Sequence, residues 1–226
     1  MYKTKQSFDC GGHDAGPLKV LALNASLKHG QDLSNTGELT ELDIRNILER
    51  APGSSSDIIR AADLNLPVGL GFREGPDDEW PGVVKKIKAA DIVLFSTPIW
   101  WGGRSSVMQR IIERLDSLDE EYSASGRSAI YNKVAGIVIT GSEDGALSVM
   151  GSIMMVLSWM GFTLPPECAA YWVGEVGQPT SEDRAKRLVN EATAHMAQSL
   201  ARNLVYYAQL LKVHPLVPKA ATAGIA

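Results

Sequence analysis

The chain reads as one α/β domain built on a parallel sheet of five strands. Three observations lead there. Continuous apolar runs of strand length recur along its 226 residues, among them "DIVLFSTP" from Asp91 and "KVAGIVITGS" from Lys133. Such runs are expected where helices cover both faces of a sheet. Amphipathic helical stretches separate the runs, and a strand–helix alternation without internal repeats gives parallel pairing through right-handed crossovers.

Residues 1–17 are polar and Gly-rich and read as a loose arm; residues 18–211 form the domain, and 212–226, "VHPLVPKAATAGIA" after Lys212, a tail. Leu18 to Ala25 is the first strand. The spacing predicts a helix over Thr36 to Ala51, with Ile44, Ile47, Leu48 and Ala51 on one face. "DIIRAADLN" from Asp57 is the second strand, and the Gly/Pro-rich loop "LPVGLGFREGPDD" after it has the length of a lid or an oligomer contact. A helix from Glu79 turns Val83, Val84, Ile87 and Ala90 inward. "DIVLFSTP" follows as strand three, and then a helix from Ser105 to Leu118 with Val107, Met108, Ile111, Ile112 and Leu115 inward. "KVAGIVITGS" is the fourth strand and Gly145 to Met160 the next helix. That helix carries two apolar stripes, Leu147, Met150, Met154 and Leu157 beside Val149, Ile153, Val156 and Met160. One stripe can face the sheet; the other would be exposed, which predicts a homodimer or homotetramer. "FTLPPECAAYWVG" is strand five, placed at an edge because Pro165 and Pro166 cannot donate to a ladder. A last helix opens at Thr180 with Asp183 as capping partner, and its inner face is Leu188, Ala192, Met196, Leu200 and Leu204.

Composition narrows the function. A net charge of −4 gives no electrostatic reason for a nucleic acid or an anionic membrane as partner. Cys10 and Cys168 are too few for a disulfide framework, and the four histidines lack metal-ligand spacing, so no metal is expected. The N-terminus shows no apolar signal-peptide core. Gly145 to Pro166 is uncharged, but its serines and closing prolines suit a buried helix and strand better than a membrane span. The expected setting is a reduced, cytoplasmic compartment.

In a parallel α/β sheet, ligands sit beyond the carboxyl ends of the strands, where strand order reverses. Three loops load that edge. "NASLKHGQDLSNT" offers Ser26, Ser34, Asn35 and Thr36 as neutral donors with one cation, Lys28, ahead of a helix N-terminus that suits an anion. Without a Gly-Lys pair, a single phosphate is favoured over a triphosphate; taken alone, the loop could equally be a capped turn. "STPIWWGGRSS" places Pro98, Ile99, Trp100, Trp101, Gly102 and Gly103 directly after a buried strand, giving flat apolar walls for a planar ring. "TGSEDG", Thr140 to Gly145, is a polar turn that could also be a plain helix start. "YWVGE" at Tyr171 reads more simply as edge packing. No acid–base or nucleophile constellation emerges, so no side chain is assigned as catalytic. A site that holds a planar phosphorylated molecule without chemistry of its own fits a cofactor that supplies the reactivity.

On "NASLK…SNT", "ADLNLP", "STPIWWGGRSSVMQRIIERLD" and "TGSEDG", the chain resembles the flavodoxin-like NAD(P)H-dependent FMN reductases and NAD(P)H:quinone oxidoreductases from Leu18 to Tyr206. "PIWWG", close to that family's Pro-Ile-Tyr-Trp-Gly, is the most specific element, with Trp100 standing where Tyr is usual. The resemblance implies a flavodoxin-like three-layer sandwich, strand order 2-1-3-4-5, with FMN at the strand-one/strand-three switch point. It implies that Ser26, Lys28, Ser34, Asn35 and Thr36 hold the FMN phosphate. Pro98, Ile99, Trp100, Trp101 and Gly102 would line the isoalloxazine, and Thr140, Gly141 and Asp144 would approach from the other side. The activity implied is hydride transfer from NAD(P)H through FMN to a quinone, a free flavin or another small acceptor. The alternative is a flavodoxin-type carrier reduced by a partner protein, against which the length and mild charge argue.

Overall fold

The computed structural model describes residues 15–119 and 128–216. Its strands are β1 (Lys19–Asn24), β2 (Ser55–Arg60), β3 (Ile92–Trp100), β4 (Gly103–Arg104), β5 (Val134–Gly141) and β6 (Ala169–Val173). Its helices are α1 (Asn35–Arg50), α2 (Trp80–Ala89), α3 (Ser106–Leu115), α4 (Ala146–Met160), α5 (Thr180–Leu188) and α6 (Glu191–Val213). The five parallel strands pair in the order β2-β1-β3-β5-β6, which is the expected 2-1-3-4-5 arrangement; β4 folds back antiparallel onto β3.

The central strands are apolar on both faces because two separate cores need them. On one face Val20, Ala22, Leu94 and Val134 meet Ile44 and Ile47 of α1 and Leu200 and Leu204 of α6. On the other, Leu21, Phe95 and Ile137 meet Val84 and Ile87 of α2, Ile111 of α3 and Ile153 of α4. Burying a side chain of this kind contributes about 1.5–3 kcal/mol, so the two cores hold the strand ends, and the loops that leave them, in fixed register.

Several elements differ from the sequence expectation. The second strand ends at Arg60, and Ala61–Asp63 form a 3₁₀ turn instead of continuing it. The turn aims the Asp63 carboxylate at Gly30 N (3.1 Å) and the His29 ring (3.1 Å), so it braces the first loop. The prolines 165 and 166 precede β6 rather than lie within it, and β6 is indeed an edge strand. The last helix is two helices. Asn190 breaks it by accepting a hydrogen bond from Thr193 N (2.8 Å) as the N-cap of α6, and Leu188, expected inside, is exposed. Asp183 does not cap α5, whose N-cap is Pro179; its carboxylate turns inward instead. In α4, neither stripe faces the sheet alone: Val149, Ile153 and Leu157 are buried, while Leu147, Met155 and Trp159 are exposed.

The loop 66–78 is tied down rather than lid-like. Arg114 Nη1 donates to Pro67 O (3.0 Å), and Arg114 Nη2 donates to Gly71 O (3.1 Å) and Asp78 Oδ2 (2.7 Å). At the chain ends, Lys212 Nζ donates to Pro17 O (2.8 Å), and Leu216 exchanges two hydrogen bonds with Asn132. The expected arm and tail fall mostly outside the described residues.

Candidate functional site

A cleft of about 340 Å³ opens at the carboxyl ends of β1, β3 and β5. Its size is within the range of small-molecule sites. Its lining includes Ser26, Lys28, Ser34, Asn35, Thr36, Pro98, Ile99, Trp100, Trp101, Thr140 and Gly141, so eleven of the thirteen residues singled out from sequence share one cavity wall. Gly102 and Asp144 are outside it. Gly102 N instead donates to Glu143 Oε1 (3.4 Å), and Asp144 is exposed.

The first loop is wound tightly. Ser34 is the N-cap of α1: its hydroxyl accepts from Gly37 N (3.2 Å) and donates to Ser26 Oγ (3.0 Å), which in turn accepts from Lys28 N (3.3 Å). Lys28 Nζ donates to Leu33 O, closing the loop on itself. The N–H groups of Asn35 and Thr36, in the first turn of α1, have no partner inside the helix and carry its positive dipole end.

Two contacts alter what was expected of this loop. The Thr36 and Thr140 hydroxyls are hydrogen-bonded (2.7 Å), which stitches loop one to the end of β5. Asn35 Nδ2 donates to Asp183 Oδ2, and Trp172 Nε1 donates to Asp183 Oδ1 (2.9 Å). Asn35 Oδ1 is left buried without a partner. A buried acceptor without a partner costs about 1–3 kcal/mol, a deficit that a hydroxyl-bearing ligand would remove. Asn35 thus offers the cleft an acceptor more readily than a donor.

The second loop is a hairpin. β3 and β4 pair Ile99 with Arg104 and Trp100 with Gly103, leaving Trp101 (φ 50°) and Gly102 (φ 70°) as a two-residue turn. Positive φ at both central positions defines the turn type that matches strand twist, and Gly is suited to the second of them. Trp101 is not suited to the first, yet its side chain is 93% exposed at the mouth of the cleft. A bulky residue held in the left-handed region costs on the order of 1–3 kcal/mol. The hairpin is held by Ser105, which donates to Ala25 O (2.8 Å) and caps α3 by accepting from Met108 N (3.1 Å). Gly141 gives Ile99 room: a Cβ there would lie 2.8 Å from it.

A third wall was not foreseen. Glu175, Gln178, Thr180 and Asp183, before and within α5, line the cleft together with Leu27, Ser142 and Glu143. The Glu38 carboxylate accepts from both Arg184 Nε (2.6 Å) and Arg187 Nη2, binding α5 to α1. Burial lowers the Arg187 pKa, with the Glu38 charge acting against that shift. Sequence periodicity gave α5 but not its inward acid, because Asp183 occupies a position that fits a surface helix equally well.

Outside the cleft, burial raises the Cys168 thiol pKa, and Cys10 lies outside the described residues. Asp43 is fully buried with neither carboxylate oxygen hydrogen-bonded, and burial raises its pKa well above the ordinary range. Among the described residues no cluster of His, Cys, Asp and Glu could hold a metal ion, and no helix is long and apolar enough to cross a membrane.

A family model described as NADPH-dependent FMN reductase matches residues 18–175. The chain belongs to that family and has a flavodoxin-like fold. It is 30% identical over 207 residues to 8-demethyl-8-aminoriboflavin-5'-phosphate synthase of Streptomyces davaonensis, covering 88% of this chain and 80% of that one. It is 33% identical over 205 residues to the divalent metal cation transporter MntH of Mycobacterium bovis, covering 86% of this chain but only 29% of that protein's length. Among solved structures it resembles RosB with the bound intermediate 8-demethyl-8-formylriboflavin-5'-phosphate (TM-score 0.77, 28% identity, 88% of this chain and 82% of that one). The apo NADH:FMN oxidoreductase EMOB shares the fold at 16% identity (TM-score 0.61, 85% and 89% covered).

Proposed function

We propose that the cleft binds FMN and that the protein is an NAD(P)H-dependent FMN oxidoreductase acting on a small acceptor. The observation that carries this reading is the cleft itself. A helix N-terminus with a Ser/Thr/Asn loop faces a tryptophan hairpin across the point where strand order reverses. The phosphate would lie in the Ser26–Thr36 loop, held by the Ser26 and Ser34 hydroxyls, the first N–H groups of α1 and the Lys28 charge. Asn35 Oδ1 would accept from a ribityl hydroxyl. Pro98 to Trp101 would line the ring, and Thr140 and Gly141 would stand on the other side. When bound, FMN supplies the hydride relay between nicotinamide and acceptor. The protein's own part is to orient the ring, to exclude water with Ile99 and Trp100, and to hold Thr36 and Thr140 in fixed hydroxyl contact.

The test is direct. Protein purified with FMN should be yellow, and changing Ser26 and Ser34 together to Ala should weaken FMN by at least about tenfold, since each hydrogen bond to a charged group contributes roughly 1.5–3 kcal/mol. Unchanged affinity in a folded double variant would refute the placement.

One observation favours a second reading, in which the flavin phosphate is itself the molecule altered. The match to the riboflavin-phosphate synthase covers 88% of the chain, more than residues 1–175 amount to, so it reaches the α5 wall that the family match leaves out. Mass spectrometry of FMN recovered after aerobic incubation with NADPH, with and without an added amino donor, separates the two readings: unchanged FMN in both supports reductase action, and a changed mass supports flavin modification.

A further inference from the structure

Two side-chain amides in the wall of the cleft are held in the same way. Asn35 Nδ2 donates to Asp183 Oδ2, and Gln178 Nε2 donates to Glu175 Oε2 (2.7 Å). In each pair the carboxylate takes the amide N–H, and the amide oxygen is left buried without a partner: Asn35 Oδ1 in one, Gln178 Oε1 in the other. All four residues line the cleft, and Gln178 and Asp183 lie beyond the residues that the family model matches. A carboxylate only accepts, so it decides which end of a neighbouring amide faces it. We propose that Asp183 and Glu175 are positioning residues, which turn Asn35 Oδ1 and Gln178 Oε1 into a paired acceptor for a polyhydroxylated chain. The proposal rests on the flavin reading above, in which that chain is the ribityl between ring and phosphate.

Asp183 is seated for this task. It is 7% exposed, and its other oxygen accepts from Trp172 Nε1 (2.9 Å), so both oxygens are held by neutral N–H donors. Gly174 makes the room: a Cβ there would lie 1.7 Å from Asp183 Oδ1. A buried carboxylate bonded to neutral donors adds little to stability, because desolvating the charge offsets what the hydrogen bonds return. If the partner of Asn35 were an amide or a hydroxyl, either end of the Asn35 amide could turn toward it. Glu175 repeats the arrangement nearer the surface. Its second oxygen accepts from Lys186 Nζ (3.0 Å), which holds the carboxylate in place for Gln178.

Buried acceptors without donors are rare in native proteins, and two in one cavity wall point to a ligand that brings the donors with it. The lining carries three carboxylates, Glu143, Glu175 and Asp183, against one cation, Lys28. A second anion is therefore disfavoured away from the Ser26–Thr36 loop, and neutral donors suit the rest of the wall. A row of hydroxyls between a ring at the tryptophan hairpin and a phosphate in the loop meets both demands. The wall then selects among phosphorylated planar molecules. A flavin whose chain bears hydroxyls pairs both oxygens, and one with a bare alkyl chain leaves them unpaired.

Fluorescence titration of the full chain with FMN and with its phosphopentyl analogue, which keeps ring and phosphate but has no chain hydroxyls, tests the proposal. The wild type should bind FMN at least about thirtyfold more tightly than the analogue. Asp183→Asn supplies an amide that can donate to Asn35 Oδ1 and so frees the Asn35 orientation. The preference for FMN should then fall at least about fivefold, while affinity for the analogue stays within about twofold. Gly174→Ala evicts the carboxylate without removing it and should do the same. Glu175→Gln, at an exposed side chain, should lower the preference at least about twofold, and it keeps the test open if both variants at the buried carboxylate fail to fold. Asn35→Ala and the double variant Asn35→Ala/Asp183→Asn should show equal preference, because Asp183 acts through Asn35. Folded variants that keep the wild-type preference, even with both flavins weakened alike, would overturn the proposal. So would equal affinity of the wild type for the two flavins, a result that leaves the flavin reading standing. A wild type that binds neither flavin would sink the flavin reading and the proposal with it.

Discussion

The loop 66–78 and the hairpin 99–104 are both glycine-bearing connections, yet they are stabilised in opposite ways. In the first, a fully buried Arg114 guanidinium gathers backbone carbonyls and the Asp78 carboxylate, and stacks 5.5 Å over the Trp80 ring. Its polar groups are spent inward, and it does not border the cleft. In the second, the main chain is strained at Trp101 and the side chain is left exposed. A loop that satisfies itself has a structural role. A loop that holds an unfavourable conformation to present an aromatic ring points to a ligand.

The largest expected effect lies in the first loop. Arg114→Met strands the Asp78 carboxylate in the interior, and breaking a buried pair on one side costs about 3–5 kcal/mol. Urea unfolding should show that loss, while the folded fraction keeps its FMN affinity within about twofold. A large drop in affinity would mean that the 66–78 loop serves the cleft after all, and the contrast would fail.

The second effect is smaller and has two signs. Trp101→Gly relieves the left-handed strain, so the unfolding free energy should rise by about 1 kcal/mol. The same change removes a ring wall, and FMN retention or turnover should fall several-fold, since aromatic stacking contributes on the order of 1 kcal/mol. Stability and binding moving in opposite directions would be the signature of a strained functional turn. A variant that loses stability and keeps its FMN would show that Trp101 packs for stability alone.

The same contrast explains what could be read from the residues in advance. The strands and both cores were legible because apolar runs such as "DIVLFSTP" and spaced pairs such as Ile44 and Ile47 carry their burial in their pattern, whereas the strand order came from the family resemblance alone. The two facing loops of the cleft were legible because Ser34, Thr36, Trp100 and Trp101 are unusual residues at strand ends. Asp183 was not, because an acid near the start of a helix serves the dipole equally well, and only the tertiary fold brings it to Asn35 and Trp172. Arg114 was missed for a related reason. On a helix of "SVMQRIIERL" it reads as a solvated charge, and its burial depends on a loop more than thirty residues upstream.

The smallest effect concerns pH. Burial alone would raise the Asp78 pKa, but hydrogen bonds from Arg114 and from the Glu74 and Trp80 N–H groups, with the Arg114 charge, hold it below the ordinary carboxylate value of 3.8. The unfolded chain then takes up a proton at higher pH than the native one does. The stabilisation is therefore complete above about pH 5 and is lost as pH falls through the native pKa. Asp78→Asn removes that term. Its urea midpoint should start lower than the wild type's at neutral pH and fall less steeply between about pH 5 and pH 3. The hairpin has no such group, so Trp101→Gly should keep the wild-type slope. Equal slopes in wild type and Asp78→Asn would show that the carboxylate does not carry the acid sensitivity of the loop. The buried pair would then stabilise the loop through its hydrogen bonds to neutral carbonyls alone.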